Sequence, residues 1–250
     1  MVDREGVRGH SASRSGHPRS TGRVALVTGG TGALGQAVTR RLLAEGATVA
    51  APFIVDAERD RLQAGVDATA KDRLLLVRAD VTDERAVGDL VNTLQARHRR
   101  LDVLVTLVGG FAGGGLLETD RATWDRMLTL NLTATFTAAR AAVPLMTAAG
   151  RGRVVTIGSR AVMPPAGGFI AYTASKSGVI AFTQALAQEL RGTGVTANCV
   201  LPSTMDTPAN RAAMPDADRK DWVPVDAVAA VIAFLASDDS AHLNGALLTV

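Results

Sequence analysis

The sequence predicts a single α/β domain built on a doubly wound parallel sheet. Three observations carry that expectation. Short Val-, Leu- and Ile-rich runs alternate with longer stretches of helical period, the pattern of repeated βαβ units. The short runs are apolar on both faces, as strands are when helices cover both sides of their sheet. A glycine-rich turn joins the first run to the first helical stretch, where a nucleotide-binding sheet needs one.

Taken in order, the first strand is Val24–Thr28, followed by a helix over residues 34–45 that Gly46 stops. Thr48–Phe53 is the second strand, and a short helix follows over 57–63. Leu74–Arg78 is the third strand and Glu84–His98 the third helix. A fourth strand spans 101–107, and one long helix is expected over 124–147. Strand 153–157, helix 172–191, strand 195–200, helix 225–236 and a last strand over 246–250 complete the body. Right-handed crossovers wind such helices onto both faces of the sheet.

A chain of 250 residues is long enough for one large domain and short for two. No apolar run in it reaches the roughly 18 residues that suggest a membrane span, so no membrane partner is expected. The formal charge of +3 sits at one end: residues 1–23 hold five arginines against Asp3 and Glu5, and the remainder holds 22 basic and 22 acidic residues. A nucleic-acid-binding domain usually carries a basic excess in its body, so no nucleic-acid partner is expected. Cys199 is the single cysteine, which excludes an intrachain disulfide and fits a reducing, cytoplasmic setting. Residues 1–22 are rich in Ser, Gly, Arg and His with little apolar content, which reads as a disordered tail preceding a catalytic domain over 23–250. A transit peptide is the other reading, opposed by Asp3 and Glu5.

The first turn reads Thr28-Gly29-Gly30-Thr31-Gly32-Ala33-Leu34-Gly35. Glycines let its backbone turn sharply and approach a pyrophosphate, and the following helix N-terminus directs free N–H groups at the phosphates. An acidic residue about 20 positions on would bond the adenine ribose. Here the second strand ends in Phe53, which cannot accept from a hydroxyl; Asp56 lies three residues late, and the first basic residue is Arg59. NAD and NADP both stay open. Asp80, followed by Val81, ends the third strand, where its carboxylate could accept from the adenine amino group or cap the next helix.

Tyr172 and Lys176 are spaced i, i+4 and so share a helix face. An ammonium beside a phenol lowers its pKa from about 10, which suits proton exchange with a carbonyl or alcohol oxygen. Ser159 ends a predicted strand, at the edge where open α/β sheets bind ligands, and its hydroxyl could hold the substrate oxygen. Asn131 falls inside the long helix, where an amide needs a partner; it could hold a water that relays protons to Lys176. No metal site is expected.

With these residues in place, the chain from about residue 23 to 250 resembles the short-chain dehydrogenase/reductase family. The matches are Thr28-Gly29-x-x-x-Ala33-x-Gly35, Asp80, Asn131, Ser159, Tyr172-x-x-x-Lys176, and Pro202 with Thr207. The resemblance implies a seven-stranded Rossmann sheet and hydride transfer between a nicotinamide and a carbonyl or alcohol carbon. By the same resemblance Tyr172 is the general acid or base, Lys176 also bonds the nicotinamide ribose, and Thr207 lies near the carboxamide or phosphates. Thr31, Leu34, Phe53, Val81 and Gly109 join the matched residues as expected cofactor contacts. A homotetramer or homodimer is implied as well. The chain departs from the family pattern at Ala33, at Thr106-Leu107-Val108-Gly109, where Gly109 alone matches, and at Ser203.

Two segments are similar to the loops of dihydropteridine reductases: residues 108–114, and residues 201–211 with Met214-Pro215-Asp216-Ala217-Asp218 and Trp222-x-Pro224. They imply a pterin-type alternative substrate, which Ser159 and Phe53 oppose. The expected reading is a carbonyl or quinone-type reductase for a small molecule, its pocket lined by Phe111, Met163, Phe169, Met205 and Trp222. The competing class is a dinucleotide-binding regulator without catalysis, which would lack Tyr172 or its partners.

Overall fold

The computed structural model describes residues 20–250. Its elements, in chain order, begin with β1 (Val24–Thr28), α1 (Ala33–Ala44), β2 (Thr48–Phe53), α2 (Asp56–Ala64), a 3-10 turn over Ala68–Arg73, β3 (Leu74–Arg78), α3 (Glu84–His98) and β4 (Val103–Thr106). Then come α4 (Arg121–Met127), a π-helical turn over Leu128–Thr133, α5 (Ala134–Ala148), β5 (Gly152–Ile157), α6 (Ile170–Glu189) and β6 (Val195–Leu201). Last are the two-residue strands β7 (Met205–Asp206) and β8 (Val223–Pro224) around α7 (Pro208–Ala213), followed by α8 (Val225–Leu235), a 3-10 turn over Asp238–Ser240 and β9 (Leu247–Thr249).

Seven strands form one sheet in the order β3-β2-β1-β4-β5-β6-β9, every pair parallel. This is the expected doubly wound sheet, and the chain reverses its direction of growth between β1 and β4. Side chains alternate across each strand. On β1, Ala25 and Val27 join one core with Val38 and Leu42 of α1 and Ile232 and Leu235 of α8. Val24 and Leu26 join the other with Leu90 and Leu94 of α3 and Ala138 and Ala142 of α5. Both faces are covered, which explains the unbroken apolar runs.

The expected long helix is three pieces. Its middle adopts the wider π turn over Leu128–Thr133, a form that occurs mostly at functional positions, and the segment begins at Arg121. Pro144 is tolerated inside α5. The fourth and last strands are shorter than expected. The helix expected over 172–191 begins and ends two residues earlier, followed by Gly192 and Gly194 at positive φ. Residues 20–22, expected in the tail, fold back onto the body: Ser20 N donates to Glu45 O and Gly22 N to Gly46 O. The rest of that expected tail lies outside the described residues. Among the described residues no helix is long and apolar enough to cross a membrane.

Candidate active site

All the strands of the main sheet point their C-terminal ends to one edge, and the turns leaving that edge carry the candidate residues. Gly29 stands at φ 70°, a left-handed conformation natural to glycine, and a Cβ there would lie 2.9 Å from Val108 N. A Cβ on Gly35 would lie 2.0 Å from Gly29 O, and one on Gly30 2.9 Å from Ala51 Cβ. The turn is therefore shaped by the absence of side chains. Gly32 caps α1, with no side-chain acceptor at the cap, which leaves its opening donors and dipole for an anion. The cradle fits a dinucleotide pyrophosphate. Thr28, Thr31 and Leu34 are buried around it, and Ala33 is the first residue of α1.

At the far end of this cradle Phe53 is buried at the tip of β2, with the Arg59 and Arg78 guanidiniums each 5.2 Å from its ring. Asp56 pairs with both, at 2.8 Å and 2.5 Å, so its carboxylate is committed to cations instead of standing free as a ribose acceptor. Glu58 accepts from the Thr31 hydroxyl at 3.2 Å and brings a carboxylate to the glycine turn. Asp80 does not cap α3; Asp83 does. Asp80 Oδ1 accepts from Thr82 N at 2.9 Å and Thr82 Oγ1 at 2.7 Å. Val81 is buried in the α3-side core.

Asn131 sits in the π turn and is fully buried. Its Oδ1 accepts from Gly110 N at 3.0 Å, and its Nδ2 donates to Gly110 O at 3.1 Å and to Ser175 Oγ at 2.9 Å. These three bonds tie the loop after β4 to α6. Gly109 is required beside it: a Cβ there would lie 2.5 Å from Asn131 Oδ1 and 3.4 Å from Lys176 Nζ.

Tyr172 and Lys176 share a face of α6, next to the end of β5. Lys176 is buried and its Nζ donates to Ile157 O at 2.9 Å. Burial brings its pKa down from 10.5 to about 8, with the Cys199 thiol acting weakly the other way. Ser159 is buried at the start of the loop after β5, and its Oγ accepts from Ala161 N at 3.2 Å. Against the larger effect of burial, the Ser159 side chain draws the Tyr172 phenol pKa down. The expected lowering of the Tyr172 pKa by ammonium is not seen. Burial pushes the phenol up, and the Ser159 side chain opposes that; one N–H of the Lys176 ammonium is held by the Ile157 carbonyl, which leaves two donors.

On the open side, Phe111 lies 5.0 Å from the Tyr172 ring and 5.9 Å from Phe169, and Phe169 lies 6.1 Å from Tyr172. Phe111 is 66% exposed. The loops bearing the two phenylalanines are joined: Gly114 N donates to Gly168 O at 2.8 Å and Ile170 N to Gly114 O at 3.1 Å. Met163 is exposed in the loop before α6. Met205 belongs to the small β7–β8 pair and packs toward the α1-side core with Leu107. The Trp222 ring meets the Arg219 guanidinium at 5.6 Å, so it is built into the loop before β8. Pro202 O accepts from Arg160 N at 3.0 Å, and Thr207 Oγ1 caps α7 by accepting from Asn210 N at 3.1 Å. The aromatic group around Tyr172 is thus Phe111 and Phe169.

Sequence reasoning missed Glu58, Arg78, Gly110, Ser175 and the Ile157 carbonyl. Arg78 is the one charge in the run Leu74–Arg78, and that break in an apolar strand was an available signal. The others act through backbone atoms or tertiary approach.

The short chain dehydrogenase family model matches residues 23–218. A (2S)-[(R)-hydroxy(phenyl)methyl]succinyl-CoA dehydrogenase subunit, BbsD, of Thauera aromatica is 33% identical over 239 residues, covering 91% of this chain and 94% of that protein. The 3-oxoacyl-[acyl-carrier-protein] reductase FabG of Escherichia coli K12 is 30% identical over 237 residues, covering 92% and 96%. The crystal structure of levodione reductase superposes with a TM-score of 0.86 at 28% identity, covering 93% of this chain and 97% of that one. The chain therefore belongs to the short chain dehydrogenase family: it is an oxidoreductase of CH–OH and C=O groups, in a family that uses NAD(H) or NADP(H).

Proposed function

We propose that the chain interconverts an apolar small-molecule carbonyl compound and its alcohol, with Tyr172 exchanging the proton. The observation that carries this reading is the placement of Tyr172 one helical turn before Lys176 on α6, its ring meeting Phe111 and Phe169 and the Ser159 side chain acting on its phenol. When bound, a nicotinamide supplies or accepts the hydride at the carbon. The residues do the rest. Ser159 holds the substrate oxygen, and Tyr172 gives that oxygen its proton in reduction and takes it back in oxidation. Lys176 is positioned by Ile157 O, and the ammonium is available to steady the phenolate and to bond a ribose hydroxyl. Asn131 links α6 to the loop at Gly110 and keeps the floor of the site in register. Thr28, the glycine turn, Leu34, Asp80, Val81, Gly109, Pro202 and Thr207 would surround NAD or NADP, with Phe53 under the adenosine end.

The apolar character of the substrate is read from Phe111 and Phe169, whose rings flank Tyr172. Small-molecule sites are lined mainly by apolar and aromatic side chains with a few placed polar groups, the combination that these rings make with Tyr172 and Ser159. We read the working form as a homotetramer or homodimer in the cytoplasm. In support, Phe136 is exposed and meets Phe182 at 6.4 Å across α5 and α6, an apolar face for a second copy, which light scattering would detect.

The test is steady-state oxidation of NADH and NADPH by the purified protein with ketones, quinones and quinonoid dihydropterin as acceptors. Turnover of ketones or quinones that is lost in Tyr172→Phe is the expected result. Turnover of the pterin alone would assign the substrate to the residues 201–224 loop instead.

A further inference from the structure

The opposite edge of the sheet carries a cluster of charged side chains. At the N-terminal ends of β1, β4 and β5, opposite the site above, lies a cavity of about 210 Å³. Four arginines line it, Arg23, Arg100, Arg151 and Arg153, against two aspartates, Asp102 and Asp238. The lining therefore carries a net charge of +2. Two of these charges are taken out of water: the side chains of Asp102 and Arg153 are 6% and 8% exposed.

Each carboxylate is shared. Asp102 receives the Arg100 guanidinium in a bidentate pair, both bonds at 2.7 Å, and Arg151 at 3.5 Å. It also accepts from Val24 N at 2.8 Å, so its lone pairs are heavily used. Asp238 pairs with Arg23 and, at 3.4 Å, with Arg153. Arg153 is further tied to Ser237 O at 3.1 Å and Gly152 O at 2.8 Å. Carbonyl oxygens satisfy its N–H groups but do not neutralise its charge. Burial pushes the Arg153 guanidinium down, and the nearby Arg23 charge pushes in the same direction.

A partly enclosed space with more guanidinium than carboxylate charge is suited to a multiply charged oxyanion: the Arg23, Arg100 and Arg153 forks are held by protein acceptors and supply the field, and the Arg151 fork is the one left to give paired N–H donors. Among the described residues that line it, four guanidiniums face two carboxylates. We propose that this cavity is an anion site for a phosphate-type ligand, separate from the dinucleotide cradle. Arg151 is its entrance residue: its side chain is 58% exposed and its contact with Asp102 is the longest of the set, so it is free to turn toward a ligand. Arg23, Arg100 and Arg153 form the fixed walls.

The experiment is calorimetric titration of the full chain with inorganic pyrophosphate at constant ionic strength, for wild type, Arg151→Ala and Arg151→Gln. The substitutions fall on an exposed side chain and leave the buried pairs in place. Binding by wild type that weakens by about tenfold or more in both variants is expected, since one charge-assisted hydrogen bond is lost. No saturable binding by wild type would overturn the proposal. So would equal affinity in wild type and both variants, which would place the pyrophosphate in the glycine turn instead.

Discussion

Lys176 Nζ lies 2.9 Å from the carbonyl of Ile157, so a buried ammonium is satisfied by the last residue of a central strand. The contact fixes the amine without neutralising it, and burial brings its pKa to about 8. Below that value folded and unfolded chains both carry the proton, and folding includes the cost of burying the charge. Between about 8 and the ordinary 10.5 the unfolded chain binds the proton and the folded one does not, so stability rises with pH across this window. Against a Lys176→Met reference, wild type should gain roughly 3 kcal/mol between about pH 7 and pH 10.5. Urea unfolding of both proteins across that range measures it. A pH-independent difference would contradict the burial of a titrating amine.

Tyr172→Phe removes the hydroxyl and keeps the ring that meets Phe111 and Phe169. A loss in kcat of about 10²- to 10⁴-fold is expected, the usual worth of a positioned acid or base, with nucleotide binding by fluorescence titration unchanged. Wild-type turnover in this variant would remove Tyr172 from the chemistry.

Asn131→Ala strands Gly110 N and O and removes the donor to the Ser175 hydroxyl, which keeps its bond to Tyr172 O. The variant should lose about 1–3 kcal/mol of stability, the cost of leaving buried polar groups unpaired, and also lose turnover. Gly109→Ala attacks the same contact from the other side, since its Cβ would lie 2.5 Å from Asn131 Oδ1. Thermal melts of the two single variants and the double variant should show strong non-additivity. Additive effects would mean the two residues act apart.

Phe111→Ala should leave the melting temperature within about 2 °C of wild type, because an exposed side chain contributes little to stability. The same change should raise KM for aromatic or alicyclic ketones severalfold. An unchanged KM would take Phe111 out of the substrate wall.

Much of this was legible because it rests on local pattern. Strands such as Val24–Thr28 are apolar on both faces, and Thr28-Gly29 through Gly35 announces a turn that tolerates no side chain. Tyr172 and Lys176 needed only helical spacing. The π turn over Leu128–Thr133 was not legible, since it is sustained by bonds from Asn131 to a loop 21 residues away and not by local propensity. α7 and the β7–β8 pair are too short to leave a periodic signal. The environment of Phe53 was half legible. Arg59 was visible, but Arg78 reaches the ring from β3, a neighbour only once the sheet has formed. The Tyr172 pKa was misjudged for a related reason: spacing places Lys176 nearby but does not reveal that its ammonium is bonded to Ile157.

The bridge between Gly114 and the Gly168–Ile170 segment has a consequence for recognition. Loops left separate would each surrender conformational freedom when a substrate arrives, at roughly 1–2 kcal/mol per backbone residue immobilised. Two backbone bonds couple Phe111 and Phe169 through their loops, so part of that ordering is supplied by the fold. On the proposed reading of these rings as the substrate wall, that wall is preorganised, and more of the contact energy with a flat apolar substrate is left to appear as affinity.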